Sequence, residues 1–311
     1  MSSRKNKTGA DMAKHWGKVL TAMVTPFDAE GRLDLDMARQ LARHLADNGS
    51  DGLVVAATTG EAPTLSDAER FDLIRAVSEA VTIPVLAGTG SNDTRHALSL
   101  TARAAELGAA GAFLVSPYYN CPPQAGIEAH FRALAAATRL PVMLYDVPGR
   151  TGRRISHDVL LRLFRQTSNI VAFKDATGDP AAAARLVAEA GEQFDLYSGD
   201  DALTLPLLAV GAVGVVGTST HWTGPEFAAM IAAFEQGDTR RARAINAALQ
   251  ASFAFSNTGS SVYSMSVKAM LRSQGLAVGE CRLPLPAAPA EAESGAQAVW
   301  RQLQQWRAAQ Y

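Results

Sequence analysis

The chain has 311 residues, 48% hydrophobic and 19% charged, so a sizeable core is available and wholesale disorder is excluded. Lysine and arginine number 29 against 30 acidic residues, a formal net charge of −1, which speaks against a nucleic-acid or membrane surface. Cys121 and Cys281 lack a C-x-x-C partner, no apolar run approaches membrane length, and residues 1–16 are polar and basic without a signal core; the expectation is a cytoplasmic protein with a mobile N-terminal extension.

In chain order, residues 19–24 read as a strand ending in Thr25-Pro26-Phe27, and residues 36–48 have helical periodicity stopped by Gly49. A strand over 52–57 runs into Thr58-Thr59-Gly60-Glu61, after which Ser66 or Asp67 caps a helix to about residue 81. The strand 84–87 leads through Gly88-Thr89-Gly90 to a helix begun by Asp93 or Thr94 and ending near Gly108. Strand 112–115 is followed by Ser116-Pro117-Tyr118-Tyr119-Asn120 and a helix from about 127 to 138. Four more units follow: strand 142–145 with helix 158–166, strand 170–173 with helix 180–190, strand 194–197 with helix 202–210, and strand 213–216 with helix 225–236.

Eight strand-then-helix units predict an α/β fold, a closed (β/α)8 TIM barrel over 17–238, rather than an open sheet. Residues 239–274 read as two more helices, and the proline- and alanine-rich segment 283–290 leads to a last polar helix around 296–307. Residues 239–311 are therefore expected to form a C-terminal helical appendix, with no linker long enough to mark a second independent domain.

In such barrels the chemistry lies where the strands end. Lys174 follows the buried run 170–173 directly. It is either a rim lysine whose stem lies on apolar surface, or an amine desolvated until it can attack a ketone and form an imine. Thr58 and Thr59 offer hydroxyls and backbone N–H groups to a carboxylate, or serve as ordinary turn residues. Tyr118-Tyr119 is an aromatic pair suited to an oligomer contact or to acid catalysis. Tyr145, at the end of its strand, needs a hydrogen-bonded role if it is buried. Arg150, in a glycine-flanked loop, can grip a carboxylate bidentately or form a surface ion pair.

Other chemistries are missing from the sequence. The six histidines show no metal-ligand spacing, and there is no G-x-S-x-G elbow or Walker loop. Gly211-x-x-Gly214-x-x-Gly217 lies across a strand and is not a dinucleotide fingerprint. The remaining set of one lysine, three hydroxyl-bearing strand ends and one arginine suits carbonyl chemistry through an imine, without a cofactor or a metal.

These residues resemble the dihydrodipicolinate synthase/N-acetylneuraminate lyase family of Schiff-base barrels over roughly residues 19–285. The motifs are Thr-Pro-Phe at 25–27, Thr-Thr-Gly-Glu at 58–61, Ala-Gly-Thr-Gly at 87–90 and Pro-Tyr-Tyr-Asn at 117–120. Tyr-Asp-Val-Pro-Gly-Arg-Thr-Gly at 145–152, Phe-Lys-Asp-Ala-Thr-Gly at 173–178 and Tyr-Ser-Gly-Asp-Asp at 197–201 complete the set. The Pro-Gly-Arg-Thr-Gly loop resembles the synthase branch, which condenses pyruvate with L-aspartate 4-semialdehyde to 4-hydroxy-tetrahydrodipicolinate in lysine and diaminopimelate biosynthesis.

The resemblance implies that Lys174 forms the imine with pyruvate, while Tyr145, Thr58 and Tyr119 make a proton relay, Tyr119 being lent by the neighbouring subunit. It implies Thr59, Gly199 and Val216 as further substrate-binding residues, Arg150 as the partner of the aldehyde's carboxylate, and a homotetramer built as a dimer of dimers. In lysine-inhibited relatives an interface carboxylate receives the ligand's ammonium; that position falls at His96 here, near Asn92, with Arg70 facing it, so weak inhibition by lysine is expected. Ala57 and Ala62 depart from the common glycine and serine. The segments 218–222 and 257–266 also depart from an ordinary synthase and bear on the second substrate. Two other readings are a pyruvate-dependent aldolase or dehydratase acting on a sugar acid or 4-hydroxy-2-oxo acid, and a noncatalytic barrel that binds a keto acid.

Overall fold

The computed structural model describes residues 16–191, 194–256, 258 and 261–309. The expected N-terminal extension lies outside the described residues up to position 15. Trp16, assigned to its end, is buried instead, its indole N–H donating to the Ala110 carbonyl at the N-terminal end of the barrel.

Eight parallel strands close in sequence order: β1 (Val19–Ala22), β2 (Gly52–Val55), β3 (Val85–Gly88), β4 (Gly111–Val115), β5 (Val142–Asp146), β6 (Ile170–Asp175), β7 (Asp195–Ser198) and β8 (Gly214–Gly217). The last pairs back onto the first, Leu20 opposite Val216. Both faces of these strands are buried, which explains their continuous apolar character. Leu20, Val54, Leu86, Phe113, Met143 and Tyr197 fill the interior. Their neighbours Leu53, Val85, Leu144, Phe173, Leu196 and Val215 face the surrounding helices.

Those helices are α1 (Leu35–Asp47), α2 (Asp67–Ala80), α3 (Thr94–Ala104), α4 (Gln124–Ala136), α5 (Pro148–Thr151), α6 (His157–Gln166), α7 (Pro180–Ala190), α8 (Thr204–Ala209) and α9 (Thr220–Glu235). Local sequence explains their starts. Ser66 and Glu69 form a reciprocal capping box before α2, Asp93 caps α3, and Asp179 caps α7 ahead of Pro180 at its first position.

Around the barrel, several elements differ from expectation. The short α5 stands where a loop was expected, opened by Pro148, whose missing N–H costs nothing at a helix start. The helix expected over 202–210 begins as a 3-10 turn, Asp201–Leu203, before α8. Helix α9 begins at Thr220, ahead of Pro225, and is kinked at Thr223, as a proline ring and missing N–H require.

Beyond the barrel, α10 (Thr239–Ala248), α11 (Gln250–Ser256) and α12 (Tyr263–Ser273) replace the two helices expected there, and α13 (Ala290–Ala308) starts earlier than its polar half suggests. Met270 and Leu271 of α12 and Ala296 and Leu303 of α13 share one apolar cluster with Leu41 of α1 and Phe227 of α9. This packing carries the start of α12 to the same end of the barrel as the carboxyl ends of the strands.

A β-bulge decides what that end presents. Strand β6 pairs Ile170 with Val142 but Ala172 with Met143, so Val171 is passed over. Ile170 and Phe173 both face the helices, while Ala172 faces the interior. The extra residue shifts the alternation by one, and Lys174 points inward beside its pairing partners Tyr145 and Tyr197.

Candidate active site

Lys174 is 5% exposed, and its Nζ lies 4.4 Å from the centroid of the Tyr145 ring and 5.7 Å from that of Phe113. Burial lowers its pKa from 10.5 to about 8; the Asp201 carboxylate opposes this and the Arg150 guanidinium assists it. The rim reading of Lys174 therefore does not hold.

A cavity of about 100 Å3 opens at this amine, lined by Thr58, Thr59, Tyr145, Arg150, Lys174 and Gly199 among others. The structure thus brings together six of the eight residues singled out in the sequence. Gly199 comes close because its position has no room for a side chain: a Cβ there would meet the Ala176 Cβ at 2.8 Å. Val216 is fully buried in the barrel interior and does not line the cavity; Thr218, two residues further on, does. Tyr119 is also apart. It follows β4 with a φ of +74° and is 91% exposed, a conformation and an exposure unusual for a bulky aromatic.

The Tyr145 phenol is pushed well above its ordinary pKa by burial, partly offset by the Arg150 charge and the Thr58 hydroxyl. It is therefore held as a neutral donor and acceptor. Arg150 projects from α5 over the ring of Tyr263, 5.2 Å from its centroid. The Thr58–Thr59 turn is anchored from below and behind: Glu61 N–H donates to the Thr58 carbonyl, and the Ser264 hydroxyl donates to the Thr59 carbonyl. Ala57 lines the cavity with the turn; the close approach falls at Gly88, where a Cβ would stand 2.3 Å from the Ala56 carbonyl oxygen.

A profile of the dihydrodipicolinate synthetase family matches residues 15–305. The chain belongs to this family. The 4-hydroxy-tetrahydrodipicolinate synthase of Thermosynechococcus vestitus is 49% identical over 280 residues, covering 88% of this chain and 92% of that protein. The enzyme of the same name from Synechococcus sp. strain CC9605 is 52% identical over 277 residues, covering 87% and 89%. Among solved structures, the dihydrodipicolinate synthase of Bacillus anthracis superposes with a TM-score of 0.89 at 43% identity, covering 92% of this chain and 98% of that one. The DHDPS of Cyanidioschyzon merolae with lysine bound gives 0.91 at 43% identity, covering 93% and 99%. These relatives establish the dihydrodipicolinate synthetase barrel for the chain.

Four further residues shape the site of this family member without having been singled out for it. Phe113 alternates inward from β4 and could have been found by counting from the strand's end. Asp201 belongs to a quoted motif, but its task emerges only from the fold: buried, it accepts from the Thr218 and Ser219 N–H groups, the latter at 2.6 Å, and holds the turn after β8. Thr218 and Tyr263 lie in the two segments already noted as unusual, and both line the cavity. In that first segment His221 is structural. Its Nε2 accepts from Val24 N–H, its Nδ1–H donates to the Thr218 carbonyl, and burial lowers its pKa to about 4.

Proposed function

We propose that this protein is a 4-hydroxy-tetrahydrodipicolinate synthase, condensing pyruvate with L-aspartate 4-semialdehyde through an imine on Lys174. The observation that carries this reading is the buried Lys174 amine, with its pKa near 8, opening into a cavity shared with Tyr145, Thr58, Thr59 and Arg150.

The neutral Lys174 amine attacks the keto carbon of pyruvate, and the keto oxygen leaves as water once two protons have reached it. Thr59, with the Thr58–Thr59 backbone, holds the pyruvate carboxylate, while Gly199 forms part of the wall. Loss of a methyl proton turns the imine into an enamine, whose carbon attacks the semialdehyde carbonyl carbon. The resulting alkoxide takes a proton through Tyr145 and Thr58, which a tyrosine from the neighbouring subunit, Tyr119, links to solvent. Arg150 holds the semialdehyde's carboxylate by charge-assisted hydrogen bonds. Finally the semialdehyde-derived amine attacks the imine carbon, releasing Lys174 and closing the ring.

The exposure and left-handed backbone of Tyr119 support its role across a two-fold contact, and the homotetramer that the family resemblance implies would repeat that dimer. A cytoplasmic setting fits a biosynthetic enzyme, and among the described residues no helix is long and apolar enough to cross a membrane.

The deciding experiment is a coupled assay with pyruvate and aspartate semialdehyde, run beside borohydride trapping. One reduced pyruvate per chain on Lys174 together with turnover of the semialdehyde is the expected result. An adduct on another lysine would overturn the mechanism, and an adduct without condensation would overturn the choice of acceptor.

A further inference from the structure

The segment 257–266 has no place in the reaction as described, yet the start of α12 reaches the catalytic cavity. Tyr263 lies at the first position of that helix, with its ring facing the Arg150 guanidinium at 5.2 Å. Two further contacts tie the same helix to the Thr58–Glu61 turn. Ser264 bonds the Thr59 carbonyl at 2.9 Å, and fully buried Lys268 donates to Glu61 at 2.7 Å. Tyr263 is thus mounted on a helix whose position is set by the active-site turn itself.

On its far side Tyr263 borders a second cavity of about 340 Å3, walled by Gln250, Phe253 and Ala254 of α11. Gly199, Asp200, Thr218 and Tyr263 line both this space and the smaller cavity at Lys174. Among these shared residues Tyr263 alone brings a large side chain, so its ring forms the main part of the partition.

The geometry points to Tyr263 as the specificity-determining residue for the aldehyde, its ring positioning Arg150 and limiting the length of acceptor that the catalytic cavity admits. This rests on the reading of Arg150 as the carboxylate partner. The two tasks are separable. A π face against a guanidinium is sensitive to loss of aromaticity, whereas a partition is sensitive only to loss of bulk. Selection of the acceptor would then depend on the C-terminal helices as well as on the barrel.

The test compares Tyr263→Phe, Tyr263→Leu and Tyr263→Ala in steady-state assays with pyruvate and three aldehydes. These are aspartate semialdehyde and ω-carboxylated aldehydes one and two methylenes longer. Tyr263→Phe should keep KM for the semialdehyde within about twofold of the parent. Tyr263→Leu should raise that KM by about three- to thirtyfold, the span of an exposed to desolvated cation–π contact, with KM for pyruvate and the rate of borohydride trapping unchanged. Tyr263→Ala should do the same and also raise the relative kcat/KM of the longer aldehydes. In an Arg150→Ala background the step from Tyr263 to leucine should change KM less than twofold, since the contact is already gone.

Equal losses for pyruvate and aldehyde in the leucine and alanine variants, or additive effects of Arg150 and Tyr263, would overturn the positioning role. An unaltered preference among aldehydes in Tyr263→Ala would overturn the partition. If the parent traps pyruvate but refuses aspartate semialdehyde, the proposed acceptor is wrong, and the length series on the longer aldehydes still decides the partition.

Discussion

The pH dependence of the imine formation proposed for Lys174 follows from the surroundings of its amine. At pH 7.5 a pKa of about 8 leaves about one amine in four unprotonated, against about one in a thousand at 10.5. Desolvation therefore raises the nucleophilic population by about 200-fold, equivalent to about 3 kcal/mol. Borohydride trapping of a single turnover should accelerate about tenfold per pH unit below 7.5 and level off above about 8. Two variants move the midpoint in opposite directions. Arg150→Ala removes a positive charge that disfavours the ammonium, so the midpoint rises; Asp201→Asn removes a negative charge that favours it, so the midpoint falls. A trapping rate still climbing tenfold per unit at pH 9.5, or shifts of the wrong sign in both variants, would refute the account of the amine.

The same burial costs stability, so Lys174→Met should stabilise the fold by up to about 3 kcal/mol at pH 7 in urea unfolding. The unfolded chain binds the extra proton between pH 8 and 10.5, so this advantage should be full below pH 8, fade across that window and vanish above it. Asp146 behaves oppositely: burial and the neighbouring Asp175 raise its pKa to about 7, the folded state holds the proton between about pH 4 and 7, and Asp146→Asn should gain relative stability as pH rises through that range. Co-expression of Lys174→Ala with Tyr119→Phe should restore about a quarter of parental sites, because half of randomly assorted dimers are mixed and each has one whole site; mixtures no more active than either parent would return Tyr119 to its own barrel. Lysine should inhibit weakly or not at all, since His96 is already paired with Asp67 at 2.8 Å and the Arg70 guanidinium lines the adjoining cavity; a submillimolar inhibition constant would contradict this.

Much of this arrangement was legible in the residues because it rests on local rules. The run 170–173, the cap at Ser66, and Pro180 after Asp179 mark elements within a residue or two of their observed ends. The strand-end rule also points to Thr58, Tyr145, Lys174 and Arg150, which line one cavity. What escaped depends on contacts distant in sequence. Lys268 is as deeply buried as Lys174, but Glu61 and the Glu280 carbonyl receive its ammonium, while the Phe27 ring lies 4.3 Å away. Nothing beside Lys268 in the chain marks that difference. A buried lysine becomes a nucleophile or a structural cation according to whether a carboxylate reaches it, and that is a property of the fold.

The orientation of Lys174 shows the limit most clearly. Strict alternation from Ile170, which faces the helices, would put Val171 and Phe173 inside and send Lys174 outward. Its ammonium would then enter the groove that Asp146 lines between α6 and α7, where that carboxylate would favour the protonated form, while Asp175 would turn inward. Passing over Val171 exchanges these fates: Phe173 packs under the helices, Asp175 joins Asp146 in the groove, and the amine turns to the rings of Tyr145 and Phe113. One unpaired residue thus places Lys174 and Asp146 on opposite sides of the barrel wall. The low pKa of Lys174, set first by burial, also needs that separation, because an amine equally buried beside the Asp146 carboxylate would be an ion pair and not a nucleophile.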